Sequence, residues 1–310
     1  MLISDVNMKR FVIRLIVFII TMFIIDRCFG LAMDYLKNHA KGGYVGHHNY
    51  ILNQTNEDVL VFGSSRAIHH YNPQIVADSL GMKCYNCGQD GNGIVLFYGW
   101  WQIIKDRHLP KMIIYDVNPD FDLLKGDNNQ KYLGWLKSEY CNEGVKQVFE
   151  DVDSTEKYKM LSMMYRYNSI FLQNITDFFH PLFNISSNGY LPLTGKMNKM
   201  KIKKEAFDDN SVVYDSQKLT YIEDFVKDVN NRGIVLIFVS SPIWYGMSDA
   251  VFEPLQDICV KNQIPFFDYS NDKNYVHNDL MFKDGNHLNA FGADIFTSMI
   301  CSKIKELNER

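Results

Sequence analysis

This sequence has no surplus of positive charge. Its 32 Lys and Arg face 36 Asp and Glu, for a net charge of -4 and a pI near 6.1, so nothing suggests the basic face that nucleic-acid binding demands. It has only six cysteines in 310 residues, too few for a disulfide-dense scaffold, and Cys28 lies inside the N-terminal apolar stretch, so cysteine usage assigns no compartment. Cys84 and Cys87 form a C-x-x-C, but no thioredoxin-like pattern surrounds it and no second closely spaced ligand pair completes a zinc site. Two buried thiols or one disulfide are left open. No Walker lysine loop and no G-x-G-x-x-G follows a first strand, and there is no repeat or low-complexity tract. Neither a metal nor a cofactor is expected.

What is present is an ordinary globular balance, 46% hydrophobic and 22% charged, enough for a sizeable core. The 14% aromatic content is read first as core filling and second as a carbohydrate-facing surface. At the N-terminus, Phe11 to Ile25 reads FVIRLIVFIITMFII, broken only by Arg14 and preceded by Lys9 and Arg10. This predicts a membrane anchor over residues 1–33, short for a span unless Arg14 snorkels and the helix continues to Met33. No small-x-small cleavage site follows, which favours an uncleaved helix over a signal peptide. The basic flank places the N-terminus in the cytoplasm and the rest of the chain outside. The competing reading is a buried core helix.

Residues 34–57 lack helical or alternating periodicity, and their Gly, His and Asn content predicts a linker. From Asp58 onward, short apolar runs alternate with amphipathic ones. Strands are expected at Val59–Phe62, Lys83–Cys87, Met112–Val117, Ile234–Val239 and Pro265–Tyr269. Helices are expected at Val95–Asp106, Leu219–Asn231, Val251–Asn262 and Ala290–Leu307. The alternation predicts an α/β domain over 58–310, with a five-stranded parallel sheet between helical layers. A helical insertion, about 120–232, separates strands 3 and 4, because a crossover needs far fewer residues. Within it, Leu133–Glu150 and Thr155–Phe179 have helical patterns. The stretch from His180 to Val213 carries Lys196, Lys199, Lys201, Lys203 and Lys204, either solvated lysines or a grip for an anionic glycan or lipid headgroup.

In an open parallel sheet, ligands bind beyond the carboxyl ends of the strands. The first strand ends Phe62-Gly63-Ser64-Ser65-Arg66, where Ser65 at a helix start is either a nucleophile or a cap. The second leads into Gly88-Gln89-Asp90-Gly91-Asn92-Gly93, a turn whose Gly91 N–H can approach a substrate oxygen. The third ends Asp116-Val117-Asn118-Pro119, where the Asn118 amide is a second oxyanion donor or part of an ordinary turn. Just before the last helix, Asp284 and His287 stand three apart. The histidine can take a serine proton while the carboxylate fixes its tautomer, or the pair can be a helix cap and a solvated histidine. Arg66 is either a ligand for an anionic substrate group or the partner of a carboxylate. His69 and His70 lie one helical turn from Ser65 and are given no catalytic role.

These four elements, in this order, resemble the blocks of the SGNH, or GDSL-like, hydrolases over Asp58 to Arg310. The resemblance implies a flavodoxin-like three-layer fold, nucleophilic Ser65, oxyanion donors Ser65, Gly91 and Asn118, and the pair Asp284 and His287. Gly63-Ser64-Ser65 departs from Gly-Asp-Ser, and Asp116-Val117-Asn118-Pro119 from Gly-x-Asn-Asp. The G-S-S form behind an N-terminal anchor is similar to the extracytoplasmic branch that includes the D-alanine transfer protein of teichoic acid synthesis and the alginate O-acetylation proteins. The expectation is a serine esterase or O-acyltransferase at the cell membrane. Its substrate would be an acylated envelope glycan or polymer, and a membrane acyl-donor protein a possible partner. The alternatives are a catalytically silent glycan-binding or scaffold domain of the same fold, and a nucleotide-binding doubly wound domain.

Overall fold

The computed structural model describes residues 2–126, 128–183, 188–197 and 212–308. In chain order it contains α1 (Leu2–His39), α2 (Gly43–Asn53), β1 (Val59–Gly63), α3 (Ser65–His70), α4 (Pro73–Leu80), β2 (Cys84–Asn86), α5 (Ile94–Ile104), β3 (Met112–Asp116) and α6 (Pro119–Asp122). There follow α7 (Glu143–Val152), α8 (Glu156–Lys159), α9 (Met163–Tyr167), α10 (Phe171–Phe179), α11 (Ser216–Asn231), β4 (Val235–Ser240), α12 (Glu253–Asn262), β5 (Phe266–Asp268) and α13 (Ala290–Asn308). The five strands are all parallel in the order β2-β1-β3-β4-β5, the flavodoxin-like doubly wound order.

The central strands are apolar at nearly every position because both faces are covered. Leu60, Phe62, Ile113, Tyr115, Leu236 and Phe238 pack into one core with α5, α11 and α12. Their neighbours Val59, Val61, Met112, Ile114, Ile237 and Val239 pack on the opposite face with α4 and α13. This alternation across each strand produces the three layers.

The insertion leaves the domain at Leu124 and returns at Tyr214, which form an antiparallel bridge. The helix α11, placed inside the expected insertion, is the crossover helix of the sheet and packs on α5 and β4. The two long helices expected in the insertion are instead several short ones. Asn142 caps α7 through the N–H of Val145, and Ser162 caps α9 through the N–H of Tyr165; such side chains compete with a continuing helix. Lys199, Lys201, Lys203 and Lys204 lie outside the described residues.

Residues 34–57 are not a linker. The first helix continues to His39, and α2 buries Ile51 and Leu52 in the main core. No side chain of its own caps α2. The Val45 N–H is received by Asp177 Oδ2 at 2.9 Å, and the carbonyls of Ile51, Leu52 and Thr55 are gathered by the Arg107 guanidinium. Its ends are satisfied by residues far away in sequence, so the local pattern carries no trace of the helix.

Candidate active site

At the end of β1, Gly63 has φ +137°. A Cβ there would lie 2.5 Å from the Asp116 carbonyl oxygen, so only glycine turns the chain this close to β3. Ser64 occupies the cap position of α3 but makes no side-chain capping bond; it is buried and accepts from Asn118 Nδ2 at 3.4 Å. The Ser65 hydroxyl instead donates to His287 Nε2 at 2.8 Å.

The loop that delivers His287 is built locally. Asp284 Oδ1 accepts the backbone N–H of Asn286 at 2.9 Å and of His287 at 3.0 Å, an Asx-type turn. The His287 Nδ1–H then donates to Oδ1 at 2.9 Å and Oδ2 at 3.1 Å. Burial pushes the Asp284 carboxyl upward, but the hydrogen bond and charge of His287 and the two N–H donors outweigh it and hold it below its ordinary range. Hydroxyl, imidazole and carboxylate thus form one unbroken chain of hydrogen bonds, although the three residues come from opposite ends of the domain.

Gly91 adopts φ +67°, and a Cβ built there would meet nothing within 4 Å. Asn118 Oδ1 accepts the Asp120 N–H at 3.2 Å and so caps α6, which turns its Nδ2 toward Ser64. Ser65, Gly91, Asn118 and His287 line one cleft of about 450 Å³, joined by Asp90 and Tyr245. Arg66 borders the same cleft, but its guanidinium is used inside the protein. It lies 3.4 Å from Asp116 Oδ1 and donates to the carbonyls of Val117 and Ser241. Tyr71 donates to the other Asp116 oxygen at 2.6 Å. Cys84 and Cys87 are separate buried thiols whose pKa values burial pushes well up.

Four residues that sequence reasoning left without a role hold this arrangement: His70, His47, Tyr44 and Asp122. His70 Nε2 accepts the Leu288 N–H at 2.9 Å, and its Nδ1–H donates to Ser241 at 2.9 Å. It is a buried neutral imidazole that fixes the backbone beside His287; burial lowers its pKa well below the usual value. His47 of α2 lies between the Tyr85 hydroxyl at 3.0 Å and the Gly88 carbonyl at 3.1 Å, while Tyr44 donates to Asp90 at 2.6 Å. The supposed linker therefore braces the Gly88 to Gly91 turn. Asp122 accepts from Ile94 N–H, Asn118 N–H and Tyr115 hydroxyl, each at 2.7 Å, and so ties the Asn118 turn to the start of α5. The only sequence signal for it was its spacing four residues after Asn118.

Burial raises the Asp122 carboxyl to about 6, against an ordinary value of 3.8, with the Tyr115, Asn118 and Ile94 hydrogen bonds and the charge of Lys218 opposing it. A raised acid favours the folded state fully below pH 4 and loses that contribution as pH climbs through about 6. Thermal melts should therefore show wild type losing up to about 3 kcal/mol relative to Asp122→Asn between pH 4 and pH 7. A difference that stays flat over that range refutes the assignment.

No family model matches the chain, and no curated protein matches it. Solved structures do. A protein described as lipolytic and of the G-D-S-L family, from Desulfitobacterium hafniense, is 10% identical, covers 79% of this chain and 97% of its own, and has a TM-score of 0.40. A protein described as an acylhydrolase, from Bacteroides fragilis, is 13% identical over 84% of this chain and 95% of its own, with a TM-score of 0.41. The site is therefore argued on its own geometry.

Proposed function

We propose that this chain is a serine esterase or O-acyltransferase that works through an acyl-enzyme, on an acyl ester of an extracytoplasmic glycan or other envelope polymer. The observation that carries the reading is the 2.8 Å bond from Ser65 to an imidazole already held by Asp284. A silent scaffold has no need of a hydroxyl, a base and a carboxylate in that register.

In the first step Ser65 Oγ attacks the ester carbonyl carbon as His287 Nε2 takes its proton, and Asp284 stabilises the imidazolium. The oxyanion is received by the N–H groups of Ser65 and Gly91 and by Asn118 Nδ2. Ser65 N–H suits this role because the first N–H groups of a helix have no intrahelical partner. When the carbonyl re-forms, the alcohol leaves with the proton from His287. In the second step His287 deprotonates either water or a sugar hydroxyl, which attacks the acyl-Ser65 ester and frees the enzyme. Water makes an esterase and a sugar hydroxyl an O-acyltransferase, with the same side chains.

The envelope setting is supported by α1, a helix long and apolar enough to cross a membrane, and by Lys9, Arg10 and Arg14 at its N-terminal end, which favour a topology with the domain outside. A membrane acyl-donor protein is the partner that suits the transferase form.

A fluorophosphonate probe tests the chemistry directly. The detergent-solubilised full chain is expected to be labelled on Ser65, with labelling absent in Ser65→Ala and in His287→Ala. Labelling that persists in Ser65→Ala overturns the mechanism.

A further inference from the structure

The insertion is fastened to the first helix where its apolar stretch ends. Asp26 accepts the N–H groups of Met163 at 2.9 Å and Met164 at 3.0 Å and the Ser162 hydroxyl at 2.7 Å, so a residue of α1 caps α9. Arg27 donates to the Leu161 carbonyl and covers the Phe23 ring. One turn further on, Phe29 stacks on Phe171 with ring centroids 5.7 Å apart. Below this junction, every large apolar side chain of α1 from Phe11 to Ile25 is exposed, as lipid contact requires.

Beside the junction the insertion also exposes apolar side chains: Leu161 is 69% and Leu172 72% exposed, with Tyr158 and Met164 close by in sequence. Asp26, the one carboxylate at this level of the helix, has its oxygens filled by N–H, hydroxyl and guanidinium donors. Lys157 lies over the Tyr158 ring at 5.4 Å, the amphipathic pairing typical of a membrane–water interface. Leu161 and Met164 are bonded through their backbones to Arg27 and Asp26, and Leu172 follows the Phe171 that stacks on Phe29, so the patch adjoins the end of the apolar stretch of α1.

We propose that Tyr158, Leu161, Met164 and Leu172 form an apolar collar that seats the insertion in the interfacial layer of the membrane α1 crosses, on the side of the α/β domain. The insertion is then a membrane-docking device. This rests on α1 spanning the bilayer and is independent of the chemistry at Ser65.

The test uses the full chain in phosphatidylcholine and phosphatidylglycerol vesicles, with the exposed Cys28 and Cys141 replaced by serine. An environment-sensitive fluorophore is placed singly through Leu161→Cys, Leu172→Cys, Phe18→Cys and Val260→Cys, the last an 80% exposed position on α12. Labels at 161 and 172 are expected to be quenched by shallow spin-labelled lipid and to lose quenching by aqueous iodide, whereas the label at 260 shows the reverse. If 161 and 172 are as open to iodide as 260 while 18 is quenched by lipid, the collar is wrong and the anchor stands. Shielding of 161 and 172 from both quenchers means that protein covers the patch and also overturns the collar. Absence of lipid quenching at 18 removes the spanning helix and the collar with it. Fluorophosphonate labelling of the same vesicles reports separately on Ser65.

Discussion

Ser65→Ala is expected to lower ester cleavage by at least about 10³-fold, with little change in the thermal melt. Among the described residues that line the cleft, this hydroxyl is the one bonded to an imidazole that a carboxylate holds, and removing it leaves a small void at the edge of a cleft. His287→Ala should cost about as much. The double variant should cost little more than either single one, because residues that act as a unit lose their effect together. Asp284→Asn should be milder: the carboxylate is half exposed, and water can partly replace it in stabilising the imidazolium. Steady-state kinetics on an activated aryl ester measures all four. A Ser65→Ala enzyme within tenfold of wild type would show that another group carries the reaction.

The largest effect on stability is expected at Arg66. Its guanidinium and the Asp116 carboxylate are both almost wholly buried, and they lie beside the turn that presents Ser65. Burial pushes the Asp116 carboxyl upward, and the charge of Arg66 with the Tyr71 hydrogen bond opposes that rise. Arg66→Met keeps most of the volume but leaves a carboxylate buried without its cation, a loss of about 3–5 kcal/mol. It also leaves the carbonyls of Val117 and Ser241 without their donor. Urea unfolding followed by far-UV circular dichroism measures the loss. Arg66→Met combined with Asp116→Leu should recover much of it, since a buried pair replaced on both sides removes the stranded charge. If the double variant is no more stable than the single one, the pair is not the source of the effect.

The strands were legible because parallel strands buried on both faces are near-continuous apolar runs, and all five appear within about a residue or two of where those runs lie. Ser65, Asp284 and His287 were legible for another reason: each sits at the end of a strand or directly before a helix, where turn residues mark the boundary. What stayed hidden depends on distant partners. The α2 helix is made by Asp177 and Arg107, more than fifty residues away at each end, so a stretch of Gly, His and Asn looked like a tether. His47 and Tyr44 went unnoticed with it. For Arg66, sequence left two roles open, and only the packing against Asp116 shows which group it meets. The insertion helices were overextended because periodicity reports an apolar face but not the serine or asparagine that interrupts it.

The first helix is tied to the domain at its C-terminal end. Lys37 near its end and His48 of α2 both bond the same Glu139 oxygen, and only a few residues separate His39 from Gly43. If lipid ends near Ile25, the remaining rise to His39 is about 20 Å, and α2, which begins there, braces the Gly91 turn of the cleft. The protein then behaves as a ruler rather than a leash. Under the proposed function, an acyl ester has to be presented at that set height, because the cleft is held by the helix rather than swung toward its substrate. Whole turns added before Asp26 leave the bonds to the insertion and to Glu139 in place and should move cleft and collar together, so labels at 161 and 172 should then open to iodide.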